Sequence, residues 1–150
     1  MSRDYVVSRR YAKALFELAK EQHVMDSVEK DLASVVNVTE SVEGVKAFLT
    51  HPNIDTTAKI AFLKDAFEER ISPLVFNTVK LLVERGRANI LPAVLEAYTS
   101  ISNKFFGRAK AVVYTPYPLE EEEAQKIADK FAKLTGKQIR VENVVDESLI

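Results

Sequence analysis

The stretch SRRYAKALFELAK, Ser8 to Lys20, decides how the chain folds. Set on a helix at about 100° per residue, it sorts into two apolar stripes. Ala12, Leu15, Phe16 and Ala19 gather on one. Val7, Tyr11, Ala14 and Leu18 gather on a second, about a third of a turn away. Arg9, Arg10, Lys13, Glu17 and Lys20 fill what remains. A helix packed once against a core needs a single stripe about 100° wide, and this one carries about twice that. Two arrangements fit: a helix wedged deep in a bundle, or one stripe on the core and the other on a partner helix.

Working outward, this first helix runs from about Asp4 to Gln22, and His23-Val24 breaks it. Asp26 with Glu29 reads as an N-cap and capping box for a second helix, buried through Val28, Leu32, Val35 and Val36 and ending near Thr39. A short third helix, Glu43 to Thr50, stops at Pro52. Asp55 or Thr56 caps a fourth, with Ile60, Leu63, Ala66 and Phe67 inward. Ser72-Pro73 opens a fifth, LVFNTVKLLVERG, and Gly86 suits its left-handed end. Val75, Val79 and Leu82, flanked by Phe76 and Val83, form one stripe of this helix; Leu74, Thr78 and Leu81 form another. It too has more apolar surface than one contact uses. Asn89 is placed to cap a sixth helix, which carries Leu91, Val94, Leu95, Tyr98 and Ile101 inward to Gly107.

The period then changes. In Arg108 to Thr115, Ala109, Ala111 and Val113 alternate with Lys110, Val112 and Tyr114, as in a strand. Leu119 to Thr135 is an amphipathic helix opening on Glu120 to Glu123, and Gln138 to Val145 alternates again. The expected class is mainly α: a six-helix bundle over 1–107, then a small, incomplete strand-helix-strand α/β domain over 108–150. Two strands and one helix close no core of their own.

Composition narrows the function. Net charge is −1, from 21 basic and 22 acidic residues, so nothing pulls the chain strongly toward nucleic acid or an anionic membrane. Cysteine is absent, which excludes disulfides and thiolate metal sites. No apolar run reaches the length of about 18 residues that a membrane span needs. The start of the chain lacks the apolar core of a signal peptide. His23 and His51 lie in no metal-binding spacing, and the run Glu120 to Glu123 points in several directions from a helix, as a solvated cap does. No glycine-rich phosphate loop, nucleophile elbow or paired carboxylates occur. Arg85 and Arg87, either side of Gly86, read as satisfying carbonyls at a helix end, with anion binding as the lesser reading. The expectation is a non-enzyme with no cofactor and no metal.

Three patterns in order carry a resemblance. They are YAKALFELA, Tyr11 to Ala19; LLVERGRANILPAVLEAY, Leu81 to Tyr98; and the spacing of Ile139, Val141, Val145, Asp146 and Leu149. Together they resemble the delta subunit family of F-type ATP synthases, the bacterial counterpart of the mitochondrial oligomycin-sensitivity-conferring protein. The family signature continues into a Gly-Gly pair and further strands, whereas this sequence stops at Ile150.

The resemblance implies a stator subunit without catalysis that resists rotor torque. Its bundle receives the N-terminal helix of an alpha subunit of the catalytic head, between the first and fifth helices. Its second domain meets the b subunits of the peripheral stalk. Carried onto this sequence, the partner groove is Val7, Tyr11, Ala14 and Leu18 with Leu74, Thr78 and Leu81. These are the surplus stripes already found from periodicity. The implied location is the cytoplasmic face of the bacterial plasma membrane, peripheral to it through the complex, with no nucleic-acid partner. The competing expectation is a helical RNA-binding or transcription-associated module, which requires a basic face.

Overall fold

The structure, a computed structural model, describes residues 3–149. Its elements run α1 (Arg3–Glu21), α2 (Met25–Ser41), α3 (Val45–Thr50), α4 (Thr56–Phe67), α5 (Pro73–Glu84), α6 (Leu91–Phe106), β1 (Arg108–Thr115), α7 (Glu121–Thr135) and β2 (Gln138–Val145). The chain is thus mainly helical with a strand-helix-strand end, as the sequence predicts, and the two strands form a small parallel sheet. It divides into two compact units, one ending at Ile101 and the other starting at Ser102.

In the first unit, α1 buries Ala12, Leu15, Phe16 and Ala19, the stripe predicted for the core, together with Ser8. Ser8 is tolerated because its hydroxyl donates to the Asp4 carbonyl, 2.6 Å away. α2 contributes Val28, Leu32 and Val35, and α5 contributes Val75, Phe76, Val79, Leu82 and Val83. Each fully buried leucine here contributes about 1.5–3 kcal/mol relative to exposure. Tyr98 of α6 is fully buried at the centre. Its ring meets Phe16 edge-on, centroids 5.5 Å apart, and its hydroxyl donates to the Met25 carbonyl at 2.7 Å.

The connections show where local chemistry differs from the expected caps. α1 ends in a Schellman motif: the Val24 amide reaches back to the Ala19 carbonyl, and His23 takes the left-handed position at φ 58°. Val24 then serves as the N-cap of α2 with no side-chain bond. The expected Asp26–Glu29 capping box is therefore not formed. Asp26 lies inside the first turn, and Glu29 accepts from Thr99 Oγ1 instead. Asn89 does not cap α6 either, because a 3-10 turn, Ala88–Ile90, leads straight into that helix.

Two expected caps are present. Asp55 accepts from the Thr57 amide at 3.3 Å, and Ser72 Oγ from the Val75 amide at 3.4 Å. The Ser72 amide is itself held by Asp31 Oδ2 at 2.9 Å, which ties α5 to α2. α4 buries Lys59 beside Leu63 and Phe67, and the Lys59 ammonium donates to the His51 carbonyl at 2.7 Å.

In the second unit, β1 and β2 pair in parallel, from Arg108 opposite Gln138 to Thr115 opposite Val145. Parallel strands need a crossover, and α7 supplies it. Asn143 fastens that crossover. Its Nδ2 donates to the Val113 carbonyl and to Thr115 Oγ1, and its Oδ1 accepts from the Leu119 amide at 2.8 Å. On α7, Ala124, Ile127 and Ala128 are half-buried, whereas Phe131 and Leu134 stay 42% and 72% exposed. One helix over two strands covers no more than that.

Candidate functional site

α1 and α5 pack against each other, each with one stripe in the core and one outside it. Of the outer stripe of α1, Val7 and Tyr11 are half-buried and Ala14 is exposed, while Leu18 is 46% exposed. Of the outer stripe of α5, Leu74 and Thr78 are half-buried and Leu81 is 36% exposed. The Thr78 hydroxyl donates to the Leu74 carbonyl at 2.8 Å, one turn back on the same helix. Of the seven, Ala14, Leu18 and Leu81 are thus left open, while Val7, Tyr11 and Leu74 are partly covered and packed against the core.

Arg85, the C-cap of α5, reaches the outer stripe of α1 at Tyr11. It follows Leu74, Thr78 and Leu81 at the spacing that keeps one helix face. Its guanidinium donates to Tyr11 Oη at 3.1 Å, and that of Arg87 donates to the same oxygen at 3.3 Å. The expectation that these arginines satisfy the helix end is corrected here. α5 closes with a Schellman motif built from backbone alone: Gly86, at φ 67°, donates to Val83, and the Arg87 amide donates to Leu82 at 2.7 Å. Both guanidiniums are thereby left to the seam. The i, i+4, i+7, i+11 spacing from Leu74 sets Arg85 in line with the outer stripe of α5; it carries no signal for Arg87 or for the meeting with Tyr11.

Elsewhere the surface offers little chemistry. His51 Nδ1 accepts from the Asn53 amide, closing a turn. Among the described residues, no group of three or more His, Asp or Glu could hold a metal. Glu121 to Glu123 occupy the first turn of α7, where the dipole favours them, and Glu122 pairs with Lys126. Among the described residues, no helix is long and apolar enough to cross a membrane.

Comparison with known proteins places this geometry in a family. The family model described as "ATP synthase delta (OSCP) subunit" matches residues 7–150. A protein of Bacillus cytotoxicus named "ATP synthase subunit delta" is 43% identical over 146 residues, 97% of this chain and 81% of that protein. A Bacillus cereus protein of the same name is 42% identical over the same shares. In overall fold, the chain is similar to one in a Toxoplasma gondii mitochondrial ATP synthase hexamer, with a TM-score of 0.75 at 24% identity, covering 94% of this chain and 79% of that one. The chain therefore belongs to the ATP synthase delta (OSCP) subunit family.

Proposed function

We propose that the seam between α1 and α5 is a docking furrow for the N-terminal helix of an alpha subunit, and that the second unit faces the b subunits of the peripheral stalk. As a delta-family subunit, the chain is a structural stator component of ATP synthase and not a catalyst, and a helical RNA-binding module is not supported. It is a peripheral part of a membrane-bound complex. On this reading it works at the cytoplasmic face of a bacterial plasma membrane, with residues 1–107 gripping the head and 108–150 turned to the stalk.

The mechanism is mechanical. A rotor can drive nucleotide exchange only in a head that does not turn with it, so the tie between head and stalk must hold under torque. Helix-in-groove docking provides this through apolar anchors at i, i+3/i+4 and i+7. Each buried anchor contributes about 1.5–3 kcal/mol before ordering costs, and a handful reach nanomolar affinity, about 12 kcal/mol. Ala14 leaves room for a partner backbone, and Tyr11 offers a broad ring with a polar tip.

The observation that supports the reading is the bond between Arg85 and Tyr11, which ties the end of α5 to the outer stripe of α1. Titration calorimetry with the cognate alpha-subunit N-terminal peptide tests it. Ala14→Asp sets a charge on the apolar face of the furrow and is expected to weaken binding by several kcal/mol. Tyr11→Asp removes the broad ring and fills the Arg85–Arg87 end with a carboxylate of its own, and is expected to weaken binding as well. Unchanged affinity in both variants would remove the furrow assignment.

A further inference from the structure

We propose that Arg85, Arg87 and Tyr11 form a polar lock that takes one carboxylate, an Asp or Glu side chain, of the helix docked in the furrow. The inference rests on the furrow reading and adds what sets the direction and register of the occupant.

Two cations here converge on one neutral oxygen, at 3.1 and 3.3 Å. Neither guanidinium is in an ion pair among the described residues, and both are exposed. The helix end does not employ them, because the backbone of Arg85, Gly86 and Arg87 already serves the carbonyls of Leu81, Val83 and Leu82. The Tyr11 hydroxyl accepts from both arginines, and its own proton remains available to donate. An incoming carboxylate thus meets two planar forks and a phenol O–H within one short arc. Such charge-assisted contacts are about twice as strong as neutral ones.

Apart from Thr78, whose hydroxyl is taken by the Leu74 carbonyl, the rest of the furrow is apolar: Leu18, Leu74 and Leu81 accept an oily helix face lying in either direction. One charged contact at the Arg85 end removes that ambiguity. Its partner must be acidic, and placed so that the apolar face of the same helix still lies along α1 and α5. An acid in the first turn of the docked helix fits best, since the dipole of that helix also favours it there.

The test is calorimetry on the intact chain with the cognate alpha-subunit N-terminal peptide and with peptides in which each Asp or Glu in turn becomes Asn or Gln. Arg85→Gln/Arg87→Gln is expected to weaken the parent peptide about 10- to 100-fold at low salt. It is also expected to flatten the salt dependence of binding. One of the amidated peptides is expected to lose the same factor against the parent chain and nothing further against the double variant. Tyr11→Phe keeps the oily ring but removes the gathering oxygen, and a loss of about 3- to 10-fold is expected. Circular dichroism of each variant, expected unchanged, separates lost binding from lost fold.

If the double variant binds the parent peptide as tightly, with the same salt slope, the lock is wrong while the furrow stands. If the parent peptide does not bind the unaltered chain at all, furrow and lock fall together. If inorganic phosphate competes through the arginines while no amidated peptide differs from its parent, the cluster is a free-anion site and the proposal is overturned.

Discussion

His23 shows how a single residue sets a turn. It holds the left-handed position that ends α1, at φ 58°, where glycine is the usual occupant. An L-residue pays about 1–2 kcal/mol for that conformation, partly offset because glycine loses about 0.5–1 kcal/mol more backbone entropy on folding. His23→Gly is therefore expected to raise stability by about 0.5–1 kcal/mol, and His23→Val to lower it by about 1–2 kcal/mol, both read from urea unfolding midpoints. The break at His23-Val24 was legible in the sequence; its geometry was not, because the Val24 amide turns back to Ala19 before Asp26 can cap anything. Lys59 was illegible for a related reason. A lysine on a helix reads as solvent-facing, and only the fold brings the His51 carbonyl to its ammonium. Arg85 and Tyr11 meet across 74 positions, a separation that helical spacing within either segment does not bridge.

Among the elements, α1 and α5 were the most legible, because a surplus of apolar surface survives in the periodicity whatever the tertiary contacts turn out to be. The core stripe predicted for each is the stripe found buried. α6 owes its place to Tyr98, whose hydroxyl holds the Met25 carbonyl at the start of α2. Tyr98→Phe leaves that carbonyl without this donor and is expected to cost about 1–2 kcal/mol at neutral pH, measured by chemical denaturation. Burial pushes the Tyr98 phenol well above the ordinary tyrosine range, and the charges of Glu29 and Asp26 add to it. The unfolded chain releases this proton near pH 10, while the folded protein keeps it to higher pH. Stability from this group is thus full below about pH 10 and falls as pH rises beyond it; Tyr98→Phe is expected to make that alkaline decline shallower. α7 stands at the other extreme. Its amphipathic stripe was plain in sequence, yet Phe131 and Leu134 remain exposed, since periodicity reports which face is oily and not how much of it finds cover.

For the molecule as a whole, membership of the ATP synthase delta family makes it a structural stator component, whose task is to hold. The central claim is that α1 and α5 together clasp a helix that the bundle itself does not supply. Amide hydrogen exchange on the intact chain, with and without a saturating cognate alpha-subunit N-terminal peptide, tests it most directly. Binding is expected to slow exchange about 10-fold or more in α1 and α5, where opening must now displace the peptide, and to leave α4 and α7 unchanged. Protection centred on α2, α3 or α4, with α1 and α5 exchanging as before, would contradict the account.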